Sequence, residues 1–264
     1  MPAKLPERIV CLTEETTETL YLLGEERRIV GISGYTVRPP RARREKPRVS
    51  AFLSAKNDAI LALRPDLVLG FSDLQADIAR DLAKAGLNIV LFNQRSVDEI
   101  LSMVLMLSSM VGAAERGRRL VEELEVNLAD VRATAGRLRR RPKVYFEEWD
   151  EPMISGIRWV SELVEIAGGV DVFANLSHSQ AANGRIVNSA AVVAKQPDVM
   201  IASWCGKKFR PERVKARAGW DAVPAVRDGE LHEIKSAEIL QPGPAALTDG
   251  VRRLQAIISG WAEK

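Results

Sequence analysis

Few residues in this chain have side chains suited to metal binding or nucleophilic catalysis. There are two histidines, His178 and His232, and two cysteines, Cys11 and Cys205. Zinc and manganese sites need three or four ligands at set spacing, so two isolated histidines predict no metal site. Cys11 lies in an apolar run and is expected in the core, whereas Cys205 lies beside two lysines that would favour its thiolate. Nothing in the cysteine spacing indicates a disulfide framework.

The common catalytic motifs are also missing. No Gly-x-Gly-x-x-Gly follows a strand, no GxxxxGK[ST] phosphate loop occurs, and no serine lies in a Gly-x-Ser-x-Gly turn. The acidic residues Glu147, Glu148, Asp150 and Glu151 could form a catalytic carboxylate pair, but a solvated, charged turn is the other interpretation. We therefore predict no catalytic residues and no cofactor, and a binding protein rather than an enzyme.

Aromatic residues cluster where predicted strands end. The chain has only 5 Trp, 3 Tyr and 6 Phe, yet Tyr35, Phe71, Trp149 and Trp204 each end or follow a strand, and Phe52 lies in the irregular stretch near Tyr35. Ligands of parallel α/β sheets bind beyond the carboxyl ends of the strands. Aromatic faces there would suit a large, flat, partly apolar ligand. The alternative is that these rings belong to the core.

The predicted elements give the scaffold for these rings. Short apolar runs alternate with helical stripes, which indicates parallel βαβ units. The prolines and charges of residues 34–57 predict an irregular stretch. Strands of the first half are predicted at residues 8–12, 29–33, 67–70 and 88–92.

A long helix is predicted in the middle of the chain. Residues 113–140 contain no proline and carry an apolar stripe at helical spacing. At 1.5 Å per residue this helix would be about 42 Å long. Beyond it the order of strands and helices restarts, and LALRPDLVL at 61–69 resembles VAKQPDVMI at 193–201. We predict an N-terminal α/β lobe at 1–112, a connecting helix at 113–141 and a C-terminal α/β lobe at 142–264, with a single domain as the alternative.

Charge and hydropathy limit the kinds of partner and the cellular locations that we expect for this chain. Lys and Arg number 38 against 35 Asp and Glu, so the net charge of +3 gives no reason to expect nucleic acid. No segment approaches the roughly 18 consecutive apolar residues of a transmembrane helix. The N-terminal residues show no apolar h-region and no cleavage site of a signal peptide. A cytoplasmic location is therefore an alternative to an exported one.

One segment is strongly basic. It contains Arg38, Arg41, Arg43, Arg44, Lys46 and Arg48. Such a run could attract an anionic ligand, and a solvated loop is the other interpretation.

Several motifs resemble a known family. In the first half they are RIVCLTEETTETLYLLG, IVGISGYTVRPP and VSAFLSAKNDAILALRPDLVLG; in the second half they are VYFEEWDEPMISGIRWVSELVEIAGG and AAVVAKQPDVMIAS. Together they resemble the substrate-binding components of cobalamin and iron-siderophore ABC importers over nearly the whole chain. The Gly-Tyr before Pro-Pro and the turn before Ser155-Gly156 are most similar to the cobalamin binders.

The resemblance implies a fold, a ligand and partners. The fold is two Rossmann-like lobes with mainly parallel sheets, bridged by one long rigid α-helix. The ligand is a corrinoid such as cobalamin, held in the cleft between the lobes of a monomer. The partners are an ABC permease and its ATPase, and the location is periplasmic or extracytoplasmic.

The resemblance also implies site residues. Tyr35, Phe52, Phe71 and Trp149 match positions where the cobalamin binders present aromatic contacts, and Thr13, Glu14 and Glu15 lie in a first-strand loop that faces the cleft, reading TEET where Ser-Pro-x-x is more usual. Asp77 and Glu212 are the candidates for docking on the permease.

Two further expectations and two alternatives complete the hypothesis. The polar segment 175–185 and residues 204–208 are expected to form a polar wall of the cleft, in which His178 and Trp204 contact ligand. One alternative is an iron-siderophore or haem in the same cleft, favoured by the basic run. The other is a cytoplasmic enzyme or corrinoid carrier that reuses the fold, with a reactive Cys205.

Overall fold

The computed structural model describes residues 4–264. The chain divides into two compact units. The first comprises the chain up to Gln94 together with Asp98–Glu123, and the second comprises Arg95–Val97 together with Leu124–Lys264.

The first unit is built on a five-stranded sheet with the order β3-β2-β1-β4-β5, in which every neighbouring pair is parallel. The strands are β1 (Ile9–Cys11), β2 (Ile29–Ser33), β3 (Arg48–Ser50), β4 (Leu67–Phe71) and β5 (Ile89–Phe92). Apolar β-branched and leucine side chains dominate them, as expected for parallel strands covered by helices. Val10, Val68 and Ile60 belong to a buried cluster that ties the sheet to its helices.

Four helices connect the parallel strands of this unit, and a fifth follows the last strand. The connecting helices are α1 (Glu14–Leu22), α2 (Ala42–Glu45), α3 (Asn57–Ala62) and α4 (Ala76–Lys84), and the helix after β5 is α5 (Val97–Met110). α1 ends before Gly24, which takes a positive φ of 69° that an L side chain rarely adopts. The short helix α2 and the strand β3 lie inside residues 34–57, so the prediction that this whole stretch is irregular was wrong. β3 forms because Val49 is buried and the strand pairs with β2, a tertiary contact that local composition does not reveal.

The long helix is shorter than predicted. α6 spans Ala114–Ala135, 22 residues, and its buried face includes Leu124, Leu128 and Val131. The helix was predicted to reach residue 140 but ends at Ala135, where the next residue is Gly136. Glycine is a poor helix former, and the backbone continues in tight turns in which Arg137 N–H donates to the Thr134 carbonyl at 3.1 Å.

The second unit contains a mixed sheet with the path β10-β9-β6-β7, and β8 pairs with β6. Its strands are β6 (Lys143–Asp150), β7 (Met153–Ser155), β8 (Val170–Asp171), β9 (Val199–Ala202) and β10 (Leu231–Glu233). Only the β6–β7 pair is antiparallel. Its helices are α7 (Arg158–Ile166), α8 (Ser189–Lys195), α9 (Pro211–Lys215), α10 (Pro224–Arg227), α11 (Ser236–Ile239) and α12 (Val251–Ala262). The predicted class, α/β with mainly parallel sheets and one long helix, is confirmed.

A buried carboxylate organises the second unit. Glu147 on β6 is fully buried, and it accepts hydrogen bonds from Tyr145 Oη at 2.9 Å, Trp204 Nε1 at 2.9 Å, and Arg217 Nη1 and Nη2 at 2.7 and 2.9 Å. The carboxylate raises the pKa of Arg217, although burial of the guanidinium opposes this. One side chain therefore links β6 to the end of β9 and to the segment after α9.

Two other buried carboxyls begin α1 in the first unit. Burial raises the pKa of Glu14 and of Glu15 to about 7 each, against the hydrogen bonds that favour their ionised forms. The donors are the Val37 N–H, 3.2 Å from Glu14, and the Thr13 hydroxyl, 2.6 Å from Glu15.

The hydrogen-bond network of Glu147 predicts how much the protein loses in stability when this carboxylate is removed. Replacing Glu147 by Gln leaves the largely buried Arg217 cation without its counter-charge, and should lower the free energy of unfolding by about 3 kcal/mol or more. Urea denaturation measures this loss. Asp130→Asn is the matched control, because the Asp130–Arg252 pair is exposed and its removal should cost less than about 1 kcal/mol. An equally small loss in Glu147→Gln would show that the buried pair is not required.

The α1 carboxyls predict a pH dependence of stability. Between about pH 4.5 and pH 7 the unfolded chain releases protons that the folded protein retains, so ionisation of Glu14 and Glu15 lowers stability as the pH rises through this range. Glu15→Gln removes one of these groups. The free energy of unfolding of this variant minus that of the unmodified protein should therefore rise from about pH 5 to about pH 7 and then level off. Urea denaturation across that range tests this, with exposed Glu122→Gln as the control. A pH-independent difference for Glu15→Gln would contradict it.

Candidate functional site

The carboxyl ends of the first unit's parallel strands lie at one edge of its sheet, and most candidate residues of this unit follow them. Thr13, Glu14 and Glu15 come after β1, Tyr35 comes after β2, and Phe71 ends β4. The side chain of Tyr35 is 56% exposed, whereas Phe71 is 6% exposed and Glu15 is 1% exposed. Tyr35 is therefore the ring of this edge that is open to a partner.

Gln75 joins two of these candidates and was missed by the sequence reasoning. Its side-chain oxygen accepts from the Phe71 N–H at 3.0 Å, and its side-chain nitrogen donates to the Phe52 carbonyl at 2.9 Å. The half-buried Phe52 is thereby held beside the end of β4. A lone glutamine in a helical start carries no sequence signal for such a role.

Five of the six cations of the basic run fall into two groups in the structure. Arg41 pairs with Glu26 at 3.1 Å and lies over the Tyr21 ring at 4.8 Å, and Arg38 pairs with Glu18 at 2.8 Å. These two arginines are held by the protein's own groups.

The other group lines a cavity of about 650 Å³ in the first unit. The cations of the cavity wall are Arg43, Lys46 and Arg48 of the basic run and Lys56 beyond it, and the wall also includes Gly34, next to Tyr35. The cavity therefore offers positive charge close to the open tyrosine.

In the second unit the two candidate tryptophans differ in environment. Trp149 on β6 is half-buried, donates from Nε1 to the Glu151 carbonyl at 2.9 Å, and has the Lys207 ammonium 3.8 Å from its ring centroid. Trp204 is 3% exposed and packs edge-to-face on Phe209 with centroids 5.2 Å apart. Trp204 belongs to the core of this unit and also forms one wall of a cavity.

That second cavity has a volume of about 400 Å³ and is also basic. Besides Trp204 it is lined by Lys207, Lys208, Arg210 and Arg213. The sequence reasoning noted the two lysines but missed Arg210 and Arg213. The signal was present, because the cations of KKFRPER, residues 207–213, lie a few residues after the end of β9.

The predicted polar wall is in part internal. His178 is exposed. In contrast, Arg185 is 2% exposed, pairs with Glu148 and donates to the Ser155 carbonyl at 2.6 Å. Arg185 therefore anchors the segment 175–185 to β7, while His178 stays open.

The two docking candidates are exposed at the starts of helices, and the two cysteines differ in burial. Asp77, in the first turn of α4, is exposed and pairs with Arg80 at 2.7 Å; Glu212, in the first turn of α9, is exposed. They lie in different units. Cys11 is buried, and burial raises the pKa of its thiol to about 12; Cys205 is exposed in the loop after β9.

Across residues 4–264, no three or more His, Cys, Asp or Glu side chains are grouped so that they could hold a metal ion. Among the helices of the same residues, none combines the length and the apolar character needed to cross a bilayer.

Comparison with known proteins gives the family. Residues 9–238 match the periplasmic binding protein family. A vitamin B12-binding protein of Vibrio cholerae serotype O1 is 30% identical over 205 residues, which cover 75% of this chain and 70% of that protein. An uncharacterized ABC transporter substrate-binding lipoprotein of Bacillus subtilis is 24% identical over 266 residues, covering 95% of this chain and 79% of that protein.

A solved structure shows the same fold. The periplasmic heme-binding protein RhuT from Roseiflexus sp. RS-1, in its apo form, superposes with a TM-score of 0.81 at 23% identity, covering 96% of this chain and 99% of that one. Because the family match spans most of the sequence, the chain belongs to the periplasmic binding protein family, and the resemblance to substrate-binding components of ABC importers is confirmed.

Proposed function

We propose that this protein captures a corrinoid such as cobalamin and delivers it to an ABC importer outside the cytoplasm. The observation that carries the proposal is the 30% identity, over 75% of the chain, to a vitamin B12-binding protein. In this proposal residues 1–112 and 142–264 act as two lobes joined by residues 113–141, and the ligand is held between them without covalent chemistry.

The candidate residues support this proposal in different ways. The open ring of Tyr35 and the half-buried rings of Phe52 and Trp149 have surface available for stacking on a flat macrocycle. Phe71 and Trp204 are buried, at 6% and 3% exposure, and are proposed to contact the ligand only through the small part of each ring that is open. His178 is exposed and supplies a polar contact.

The first-strand loop supplies polar groups to the same proposal. Glu15 is buried, and its second oxygen, Oε2, has no hydrogen-bond partner in the structure. A carboxyl with a pKa of about 7 can donate a hydrogen bond when protonated and accept one when ionised. Thr13, Glu14 and Glu15 are proposed to contact the amide or hydroxyl groups of the ligand.

Docking on the permease is proposed to use one acidic residue in each unit, Asp77 and Glu212. Both carboxylates are exposed at the first turn of a helix. The ion pair with Arg80 does not bury Asp77, because its side chain remains 84% exposed.

A haem or an iron-siderophore is the second candidate ligand. The observation that favours it is the basic cavity of the first unit, lined by Arg43, Lys46, Arg48 and Lys56. Haem propionates and many siderophores are anionic at neutral pH, and charge-assisted hydrogen bonds to arginine are among the stronger polar contacts.

Cobalamin binding is tested directly by absorbance or calorimetric titration of the purified chain. We expect saturable binding, and we expect Tyr35→Ala and Trp149→Ala each to weaken it by about tenfold or more, because each removes aromatic area in contact with the ligand. Trp261→Ala is the control, since this ring of α12 lies under the Arg140 guanidinium and is not a candidate ligand contact. No binding at ~100 µM cobalamin would rule out the cobalamin proposal, since affinities weaker than this are far below those of specific sites.

The rival ligand is tested with hemin. If the basic cavity binds an anionic solute, Arg43→Ala/Arg48→Ala should weaken hemin binding about tenfold and cobalamin binding little. The matched control is Arg41→Ala/Arg44→Ala, which removes the same charge from residues outside the cavity wall. Equal effects of the two double variants would show that only overall charge matters.

A further inference from the structure

The basic cavity of the second unit has more positive charge than its surroundings neutralise. Lys207 and Arg213 both pair with Asp150, at 2.9 Å in each case, and the Asp150 side chain is only 2% exposed. A second contact of Arg213, to the exposed Glu151, is long at 3.7 Å. One buried carboxylate thus serves two of the four cations.

The other two cations, Lys208 and Arg210, have no carboxylate within ion-pair distance in residues 4–264. The nearest candidate for Lys208 is Glu233, which its charge influences. That carboxylate is already held by Lys235 at 2.6 Å and by the Phe209 N–H at 3.2 Å. The four cations of the cavity wall therefore outnumber the carboxylates that pair with them.

The paired cations are also held in place. Lys207 lies between the Asp150 carboxylate and the Trp149 ring, and Arg213 lies between Asp150 and the Trp204 ring at 5.8 Å. Burial works to raise the pKa of Asp150, but the hydrogen bond and charge of Lys207 outweigh it and keep the pKa below its usual value. Asp150 therefore stays ionised and keeps both cations fixed, which reduces the ordering cost when an anion binds.

We propose that this cavity binds an anionic group, a carboxylate or a phosphate, and that Lys208 and Arg210 are its primary contacts. The role of the cavity as the recognition site for one end of the transported solute rests on the proposed function. Two kinds of solute could supply the anionic group. A haem or a siderophore would supply carboxylates, and a complete corrinoid would supply the phosphate of its nucleotide loop.

The cavity itself is tested first with citrate, without any assumption about the solute. Calorimetric titration of the full chain should show citrate binding that weakens with added salt. Lys208→Ala/Arg210→Ala should weaken it by about tenfold, because this removes the two wall cations that do not pair with Asp150. The matched control Lys195→Ala/Lys215→Ala removes two exposed lysines of the same unit that do not line the cavity, and should change the affinity less than about twofold. Equal citrate affinity in the unmodified chain and in Lys208→Ala/Arg210→Ala would overturn the proposal.

Two pairs of solutes then identify the source of the anion. Hemin is compared with its dimethyl ester, which lacks the free carboxylates, and cobalamin with cobinamide, which lacks the nucleotide loop and its phosphate. In the pair that binds, Lys208→Ala/Arg210→Ala should lower the affinity for the solute that carries the anionic group about tenfold. The affinity for the other solute of the pair should change little. A citrate response without binding of any of the four solutes would support an anion site and refute the proposed function. A solute whose affinity is unchanged in Lys208→Ala/Arg210→Ala would overturn the role of the cavity in solute recognition.

Discussion

The buried ion pair of Glu147 and Arg217 is the interaction on which the second unit's candidate site depends. A buried charge that loses its partner costs several kcal/mol, so the four hydrogen bonds to Glu147 hold their donors firmly. Trp204 is thereby fixed at the end of β9, and Arg217 is fixed beyond α9. The residues that line the basic cavity lie between these two points in the sequence, so both ends of the segment that forms the cavity wall are anchored by a single carboxylate.

The first unit organises its strand ends by a different means. There, polar side chains bond to backbone groups: Gln75 accepts from Phe71 N–H, and Glu14 accepts from Val37 N–H. Gly34 N–H donates to the Ser50 carbonyl at 2.7 Å and so ties the turn before Tyr35 to β3. These bonds fix the backbone and leave the Tyr35 side chain free of the core. The exposed ring therefore stands on an ordered support, which keeps the ordering cost of a stacking contact small.

Much of the fold could be predicted because its elements are periodic or bounded by strong signals. β4 follows a Pro-Asp break, and α6 carries an unbroken apolar stripe. The elements α2 and β3 could not be predicted, since β3 exists through pairing with β2 rather than through its own composition. The site was less predictable. Position after a strand selected Tyr35 and Trp149, whose rings are exposed and half-buried, but it could not show that Phe71 and Trp204 would be buried, because burial depends on residues distant in sequence. Gln75 acquires its place only through the tertiary structure, whereas Arg210 and Arg213 lie a few residues after a strand end, a signal that the sequence does contain.

The balance between rings and charges bears on what kind of solute fits. Stacking area is smaller than the sequence suggests, since two of the five candidate rings are buried and Lys207 covers one face of Trp149. Positive charge is larger than the sequence suggests, since each unit has a cavity lined by four cations. Apolar stacking is insensitive to salt, whereas attraction to fixed cations is screened by it and speeds association. A solute recognised in this way would combine a flat apolar body with an anionic edge, and the charged edge rather than the rings would set its rate of capture.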